Sequence, residues 1–166
     1  MFEQGQWVLY GIHGVCRVIG TEKQLVNRKR TEFLVLEPLS RGESRFYLPI
    51  GNPTALSKLK PVLSSQELTD LLASPEIREY SWIYDEGQRK QTYKDLINSG
   101  DRPMLLRMVS TLYRYRDEQA AAGRKFHLCD ENFLRDAEKL LSSEIALVLE
   151  MTQEDARNHL RAQLQE

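Results

Sequence analysis

The chain has 166 residues with 23 Lys/Arg, 24 Asp/Glu and a formal net charge of −1, which is enough for one larger domain or two small ones with modest cores. Its ordinary apolar content and mixed charges exclude an intrinsically disordered chain, and it has no apolar run of membrane-spanning length. The first residues lack the basic start and apolar stretch of a signal peptide, so we expect a cytoplasmic protein. Cys16 and Cys129 fall in different halves and form no Cys-x-x-Cys pair, which favours reduced thiols.

Charge is unevenly distributed along the chain. Residues 1–60 carry nine bases and five acids, residues 78–125 carry ten and seven, and residues 126–166 carry four and nine. A protein that coats nucleic acid indiscriminately would be basic throughout, so this pattern indicates at most a local basic patch with weak affinity for phosphates. We expect any nucleic-acid contact to need help from a protein partner.

The N-terminal part, residues 1–61, has the pattern of short β-strands separated by turn residues. Glycines at 11 and 14 predict a tight turn after the first strand. A polar loop is predicted over Lys23–Thr31, with Arg28-Lys29-Arg30 either a solvated hairpin tip or a phosphate contact. Another hairpin connection is predicted around Ser40–Glu43. The predicted strands are Trp7–Tyr10, Val15–Ile19, Glu32–Glu37, Ser44–Leu48 and a short one within Ala55–Val62.

Five short strands in so few residues cannot build a large sandwich. They favour a strongly bent, SH3-like or Tudor-like β half-barrel. Such a sheet has an unpaired edge that could accept a strand from another protein by β-augmentation.

The remainder, residues 62–166, has the pattern of an all-α bundle of four or five helices. Ser64 or Ser65 is a candidate cap for a helix through Glu67–Leu72, which should stop near Ser74-Pro75. A second helical segment is predicted over Glu76–Ser99, with Gly100 as its left-handed C-terminal residue. Further helices are predicted to begin after Asp101, after the turn Arg124–Asp130, and after Thr152. The predicted fold class is therefore α+β, with a β-type head and a helical domain.

Several segments together resemble the CarD, CdnL and transcription-repair coupling factor family. In the head, Phe2–Val18, Glu32–Leu36 and Leu48-Pro49 resemble its RNA polymerase-interacting domain. In the second half, Ser99-Gly100-Asp101 and Leu140–Ala146 resemble the helical domain of stand-alone CarD-type regulators. The absence of a P-loop excludes the coupling factor itself.

Trp82 is the first candidate site residue. From the residues alone, it is either a half-buried aromatic of the bundle or an exposed ring. The resemblance implies that it corresponds to the tryptophan that CarD-type proteins wedge into the minor groove at the upstream edge of the melted promoter. Arg89, Lys90 and Lys94 could then hold phosphates beside it. Between Trp82 and Gly100 the chain is longer than the family pattern and includes the acidic stretch Asp85-Glu86-Gly87.

The resemblance also implies that the head binds the β subunit of RNA polymerase through an exposed strand and basic side chains. The family's basic positions fall near Gln24 and Tyr47, with Lys23 and Arg45 as the nearby cations. Arg45 is the stronger candidate of the two. From the residues alone, Arg45 could equally be an exposed arginine on a hairpin strand with no partner.

An enzymatic site is weakly supported. His13 and Cys16 have a spacing compatible with a metal ligand pair or a base and nucleophile, but no further ligands cluster nearby in sequence. Asp130-Glu131 is explained by a helix N-terminus. We therefore expect no enzyme activity and no cofactor.

The hypothesis is a transcription regulator, most simply a monomer, that binds the polymerase β subunit and stabilises the promoter open complex through weak contacts of its helical domain with DNA. The alternative is a polymerase-binding adaptor that recruits another protein without touching DNA.

Overall fold

The computed structural model describes residues 2–39 and 44–165. It contains one antiparallel sheet of five strands in the order β4-β3-β2-β1-β5, followed by helices, which confirms the predicted α+β class. The strands are β1 Trp7–Tyr10, β2 Val15–Val26, β3 Lys29–Pro38, β4 Phe46–Pro49 and β5 Leu59–Pro61. The helices are α1 Pro53–Leu56, α2 Ser65–Ala73, α3 Glu86–Ser99, α4 Arg102–Ala121, α5 Leu128–Val148 and α6 Gln153–Leu164.

The β2–β3 hairpin is longer than predicted. The Lys23–Thr31 loop prediction is wrong, because β2 and β3 stay paired as far as Val26 opposite Lys29. The turn itself is Asn27-Arg28, both with positive φ (51° and 65°). The ribbon extends past both neighbouring strands and is largely solvated, so its side chains need not alternate between apolar and polar. Its sequence therefore resembles a loop.

The short fifth strand predicted within Ala55–Val62 is confirmed as Leu59–Pro61. It is preceded by helix α1, which Asn52 caps by accepting hydrogen bonds from the backbone N–H groups of Thr54 and Ala55. The predicted connection Ser40–Glu43 lies outside the described residues.

Side-chain caps mark the starts of the α-helices in the described residues except α5. Ser64 and Glu67 form a reciprocal capping box at α2, while Asp101 and Thr152 each accept a backbone N–H hydrogen bond at α4 and α6. The predicted segment Glu76–Ser99 is helical only from Glu86, where the Asp85 carboxylate accepts from the backbone N–H of Gln88. Before it lie one 3-10 turn, Pro75–Arg78, and an irregular stretch that contains Trp82.

The sheet is shared between two hydrophobic cores. Alternation along β1 puts Val8 with Cys16, Val18 and Leu36 inside the curved sheet, whereas its neighbour Leu9 packs with the helices. Val15 does the same at the start of β2. The helices therefore cover an apolar face of the sheet. The division of the chain into two domains, 1–61 and 62–166, remains a prediction.

A buried ion pair holds the connection between sheet and helices. Arg102 and Glu144 are 7% and 1% exposed and form a two-pronged pair, with Nη2 to Oε2 at 2.8 Å and Nε to Oε1 at 3.1 Å. The same guanidinium donates to the carbonyl oxygen of Pro61 at 2.6 Å, and the carboxylate accepts from the backbone N–H of Leu63 at 3.1 Å. The pair thus satisfies backbone groups of the connecting segment as well as itself.

Candidate functional site

Strand β4 is an edge of the sheet, and its register shows which backbone groups face outward. The backbone N–H of Ile50 donates to the carbonyl of Glu32, and Leu48 and Phe46 lie opposite Leu34 and Leu36. Hydrogen-bonded pairs alternate along an antiparallel ladder. The backbone N–H and C=O of Tyr47 therefore point away from β3, toward the open edge.

The side chains of this edge are exposed. Tyr47 is 42% exposed, and the side chains of Arg45 and Glu37 are 53% and 52% exposed and form a cross-strand ion pair at 3.4 Å. Phe46, between Arg45 and Tyr47, and Leu48, after Tyr47, face the core. We call the surface made by Arg45, Tyr47 and Glu37 the β4 edge. It joins outward backbone groups to a cation and an aromatic ring, the groups that a β-augmenting partner uses.

Lys23 is not part of the β4 edge. Residues directly opposite one another on paired strands point to the same face. Lys23 lies opposite Glu32 on β3, and Tyr47 lies opposite Val35 on the same strand. Glu32 and Val35 are an odd number of residues apart and point to opposite faces, so Lys23 and Tyr47 also lie on opposite faces. The prediction of Lys23 depends on the family's basic position near Gln24. It missed Arg17, which lies opposite Glu37 on the face of Arg45 and rests its guanidinium 5.7 Å from the Trp7 ring.

Trp82 is half-buried and held on both ring faces. Tyr115 from α4 stacks on it with centroids 3.5 Å apart and planes 9° apart, and the Arg89 guanidinium carbon lies 4.5 Å from the ring centroid. A parallel ring so close leaves no room for another group on that face, so Arg89 covers the other one. Only the edge of the indole is left for a ligand.

Arg89 is itself fixed beneath Trp82. It is 5% exposed and bonds in two-pronged fashion to the fully buried Asp130, with Nε to Oδ1 at 2.9 Å and Nη2 to Oδ2 at 3.2 Å, and Nη1 donates to the carbonyl of Ile83. Burial lowers the pKa of Arg89, but hydrogen bonds and charge from Asp130 outweigh it and the pKa is raised. The predicted phosphate contact is therefore unsupported for this residue, since its donors point inward. We call Trp82, Arg89, Tyr115 and Asp130 the Trp82 corner.

The other predicted cations of this region are exposed. Lys90 lies one turn into α3 and pairs with Glu86 at 3.1 Å, and Lys94 follows one turn later on the same side of the helix. Tyr84, between Trp82 and α3, is 87% exposed. It was not among the predicted site residues, because an aromatic in an irregular segment carries no periodic signal.

His13 lies in the turn between β1 and β2, and Cys16 follows it at the start of β2. The His13 ring packs 4.4 Å from Phe46 and 5.0 Å from Tyr10, and the buried Cys16 thiol is directed at the carbonyl of Gly14 at 3.8 Å. Within residues 2–39 and 44–165, no three His, Cys, Asp or Glu side chains are grouped so as to hold a metal ion. No helix in the described part of the chain has the length and apolar character needed to cross a membrane.

Comparison with known families accounts for both halves. Residues 2–60 match the CarD-like/TRCF RID domain, the RNA polymerase-interacting domain, and residues 67–161 match the CarD C-terminal domain. The chain belongs to the CarD family. Its members are RNA polymerase-interacting transcription regulators and are known as non-enzymatic factors, and the RID domain is Tudor-like, as expected for the head. A search of curated proteins found no match.

Proposed function

We propose that this CarD-family protein docks on the β subunit of RNA polymerase through the β4 edge. Its helical domain then contacts DNA at the upstream end of the melted region and so stabilises the promoter open complex. The family match supports the polymerase contact, and the observation that carries the docking mode is the outward backbone of Tyr47 beside an exposed Arg45.

The β4 edge supports strand addition because it supplies both parts of the interaction. Main-chain groups of Tyr47 give affinity without sequence requirements, and the side chains of Arg45 and Tyr47 give selectivity for the added strand. The Arg45–Glu37 pair is exposed and costs little to rearrange, so a partner carboxylate can replace Glu37 at the guanidinium.

The Trp82 corner supports a wedge of a particular kind. Tyr115 and Arg89 hold the indole rigidly, so it can press its edge against an opening base step without losing rotamer freedom on binding. Unstacking a step costs a few kcal/mol, which a pre-positioned apolar edge partly offsets. The open faces of the exposed Tyr84 are available to stack on a displaced base.

Phosphate contacts near the wedge are limited to Lys90 and Lys94. Two exposed lysines, one of them paired with Glu86 and close to Asp85, give weak affinity for a duplex. Docking on polymerase raises the local concentration of the corner at the promoter, so weak contacts suffice. Because the open form is contacted and the closed form is not, the equilibrium shifts toward the open complex.

The experiment measures the lifetime of the open complex on a linear promoter fragment after addition of a competitor that captures released polymerase. Trp82→Ala should shorten the lifetime that the wild-type protein confers, while capture of polymerase by the tagged full-length chain is unchanged. Tyr84→Ala, at an exposed position that carries no packing, separates DNA contact from local destabilisation. Unchanged lifetimes with both variants would contradict the proposed DNA contact. They would not contradict the proposed contact with polymerase.

A second candidate function is an adaptor that binds polymerase and recruits another protein without touching DNA. The exposed acids Asp85 and Glu86 beside the Trp82 corner favour it, since they repel phosphates. Footprinting of the upstream bubble edge with and without the protein distinguishes the two. Protection requires DNA contact. In either case we place the protein in cytoplasmic transcription complexes as a monomer.

A further inference from the structure

The acidic C-terminal segment carries a concentrated basic surface. Residues 126–166 contain nine Asp/Glu and only four Lys/Arg, so their net negative charge predicts that the segment repels anions. The fold sorts these charges by face. All four bases of the segment line one cavity, together with one arginine from α4: Arg116, Arg135, Lys139, Arg157 and Arg161.

Helix geometry explains the convergence. Arg135 and Lys139 are four residues apart on α5, and Arg157 and Arg161 are four apart on α6, so each pair lies on one side of its helix. Helices α5 and α6 pack on one another, and Ala137 and Ala156 are buried in the core that they share. Two facing pairs of cations thus flank a cavity of about 450 Å³.

Few carboxylates neutralise this cavity. Of its two acidic lining residues, Glu138 is 6% exposed and bonds to Arg161 at 3.0 Å, which leaves Glu131. Within residues 2–39 and 44–165, no carboxylate lies within 4.0 Å of the charged nitrogens of Lys139 or Arg157. Five bases and two acids give the lining a surplus of three positive charges.

The basic cavity shares two of its cations with a second cavity that is partly lined by the sheet. Lys139 and Arg157 also line a neighbouring cavity of about 420 Å³, whose other walls include Gly14 at the β1–β2 turn and the hydroxyl-bearing Ser143. The two exposed cations therefore stand between both cavities. A multiply charged ligand could extend from one into the other and keep contact with both.

We propose that this basic cavity, a groove lined by Arg116, Arg135, Lys139, Arg157 and Arg161, binds a small anion with several adjacent phosphates. Its volume falls in the range of small-molecule sites, about 300–1,000 Å³. Arginine forks and a lysine are the side chains that recognise phosphate oxygens, and several charges around one concave space suit a ligand with adjacent phosphates. This site lies outside the proposed polymerase and DNA contacts.

The test is calorimetric titration of the full-length protein with sodium tripolyphosphate, and separately with a nucleoside triphosphate, at constant ionic strength. The variant is Lys139→Gln combined with Arg157→Gln, both exposed positions, so the fold should be kept and is checked by thermal unfolding. The matched control is Lys58→Gln with Arg30→Gln, exposed in the head, which changes net charge equally.

The expected result is saturable one-to-one binding by wild type, with Kd raised at least about tenfold in the groove variant, as loss of charged hydrogen bonds implies, and unchanged in the control. Absence of saturable binding, or equal weakening by the control, would overturn the proposal. So would a groove-dependent affinity for duplex DNA with which tripolyphosphate does not compete, since the groove would then be a DNA backbone contact.

Discussion

The β4 edge and the Trp82 corner differ in how firmly their side chains are held. At the β4 edge, Arg45 and Tyr47 project from a paired strand into solvent, joined to the molecule by one exposed ion pair. At the Trp82 corner, two rings, a guanidinium and a carboxylate from four separate segments are locked together. An adaptable edge suits docking on a partner, and a rigid corner suits pressure on a base step.

The largest expected effect on folding comes from the Trp82 corner. Asp130→Ala leaves the Arg89 charge buried and unpaired, so the free energy of unfolding should fall by about 3–5 kcal/mol, measured by urea denaturation. Glu131→Ala, the exposed neighbour in the same helical turn, is the matched control and should change it by less than about 0.5 kcal/mol. A loss of under about 1 kcal/mol for Asp130→Ala would mean that the corner is not rigidly held.

A smaller effect is expected where the end of α3 meets strand β5. Gly100 ends α3 with φ +71°, and a Cβ there would lie 2.7 Å from Cγ of Lys60 in β5. Gly100→Ala should destabilise by about 1–2 kcal/mol from the left-handed backbone alone, measured by thermal unfolding. Gly87→Ala, in the first turn of α3, would place its Cβ in ordinary contact with Oδ2 of Asp85 at 3.6 Å, and it should be neutral or stabilising. Equal effects of the two substitutions would contradict the left-handed backbone at Gly100.

Charge reversal at the β4 edge should affect binding and not folding. Arg45→Glu should abolish capture of RNA polymerase by the tagged full-length protein while changing the free energy of unfolding by less than about 0.5 kcal/mol. The full chain is used because the helices cover Leu9 and Val15 of the sheet. Lys58→Glu, elsewhere in the head, should capture polymerase normally. Retained capture by Arg45→Glu would remove this edge from the docking surface.

The smallest effect is a pH dependence near the Trp82 corner. Desolvation, reinforced by the charge of Glu118 and a 3.4 Å hydrogen bond to it, raises the pKa of Tyr80 to about 12, above the value near 10 of an unfolded tyrosine. The folded form therefore keeps the proton that the unfolded form loses, and this contribution to stability is complete below pH 10 and declines as pH rises to about 12. Stability measured across this window should fall less steeply in Tyr80→Phe, and parallel curves would contradict the shift.

Local signals made much of the fold predictable. Ser64, Asp101 and Thr152 cap helices as their side chains predict, and Gly100 adopts the expected left-handed backbone. These features depend on neighbours within a few residues. The outer part of the β2–β3 hairpin has the residue pattern of a loop, because most of its side chains are exposed.

The candidate sites were less predictable because their contacts are distant in sequence. The Arg89–Asp130 pair joins positions 41 residues apart, and the ring on Trp82 comes from another helix. Neither partner is marked by periodicity. The net charge of residues 126–166 does not predict the basic cavity either, because all four bases of this acidic segment lie around one cavity.

The most direct test of the account is photocrosslinking from position 47. A benzoylphenylalanine in place of Tyr47, in the full-length protein bound to polymerase, should crosslink to the β subunit, and the same group at the exposed position 58 should not. Crosslinks from position 47 to another subunit, or none in a complex that still forms, would contradict docking through the β4 edge.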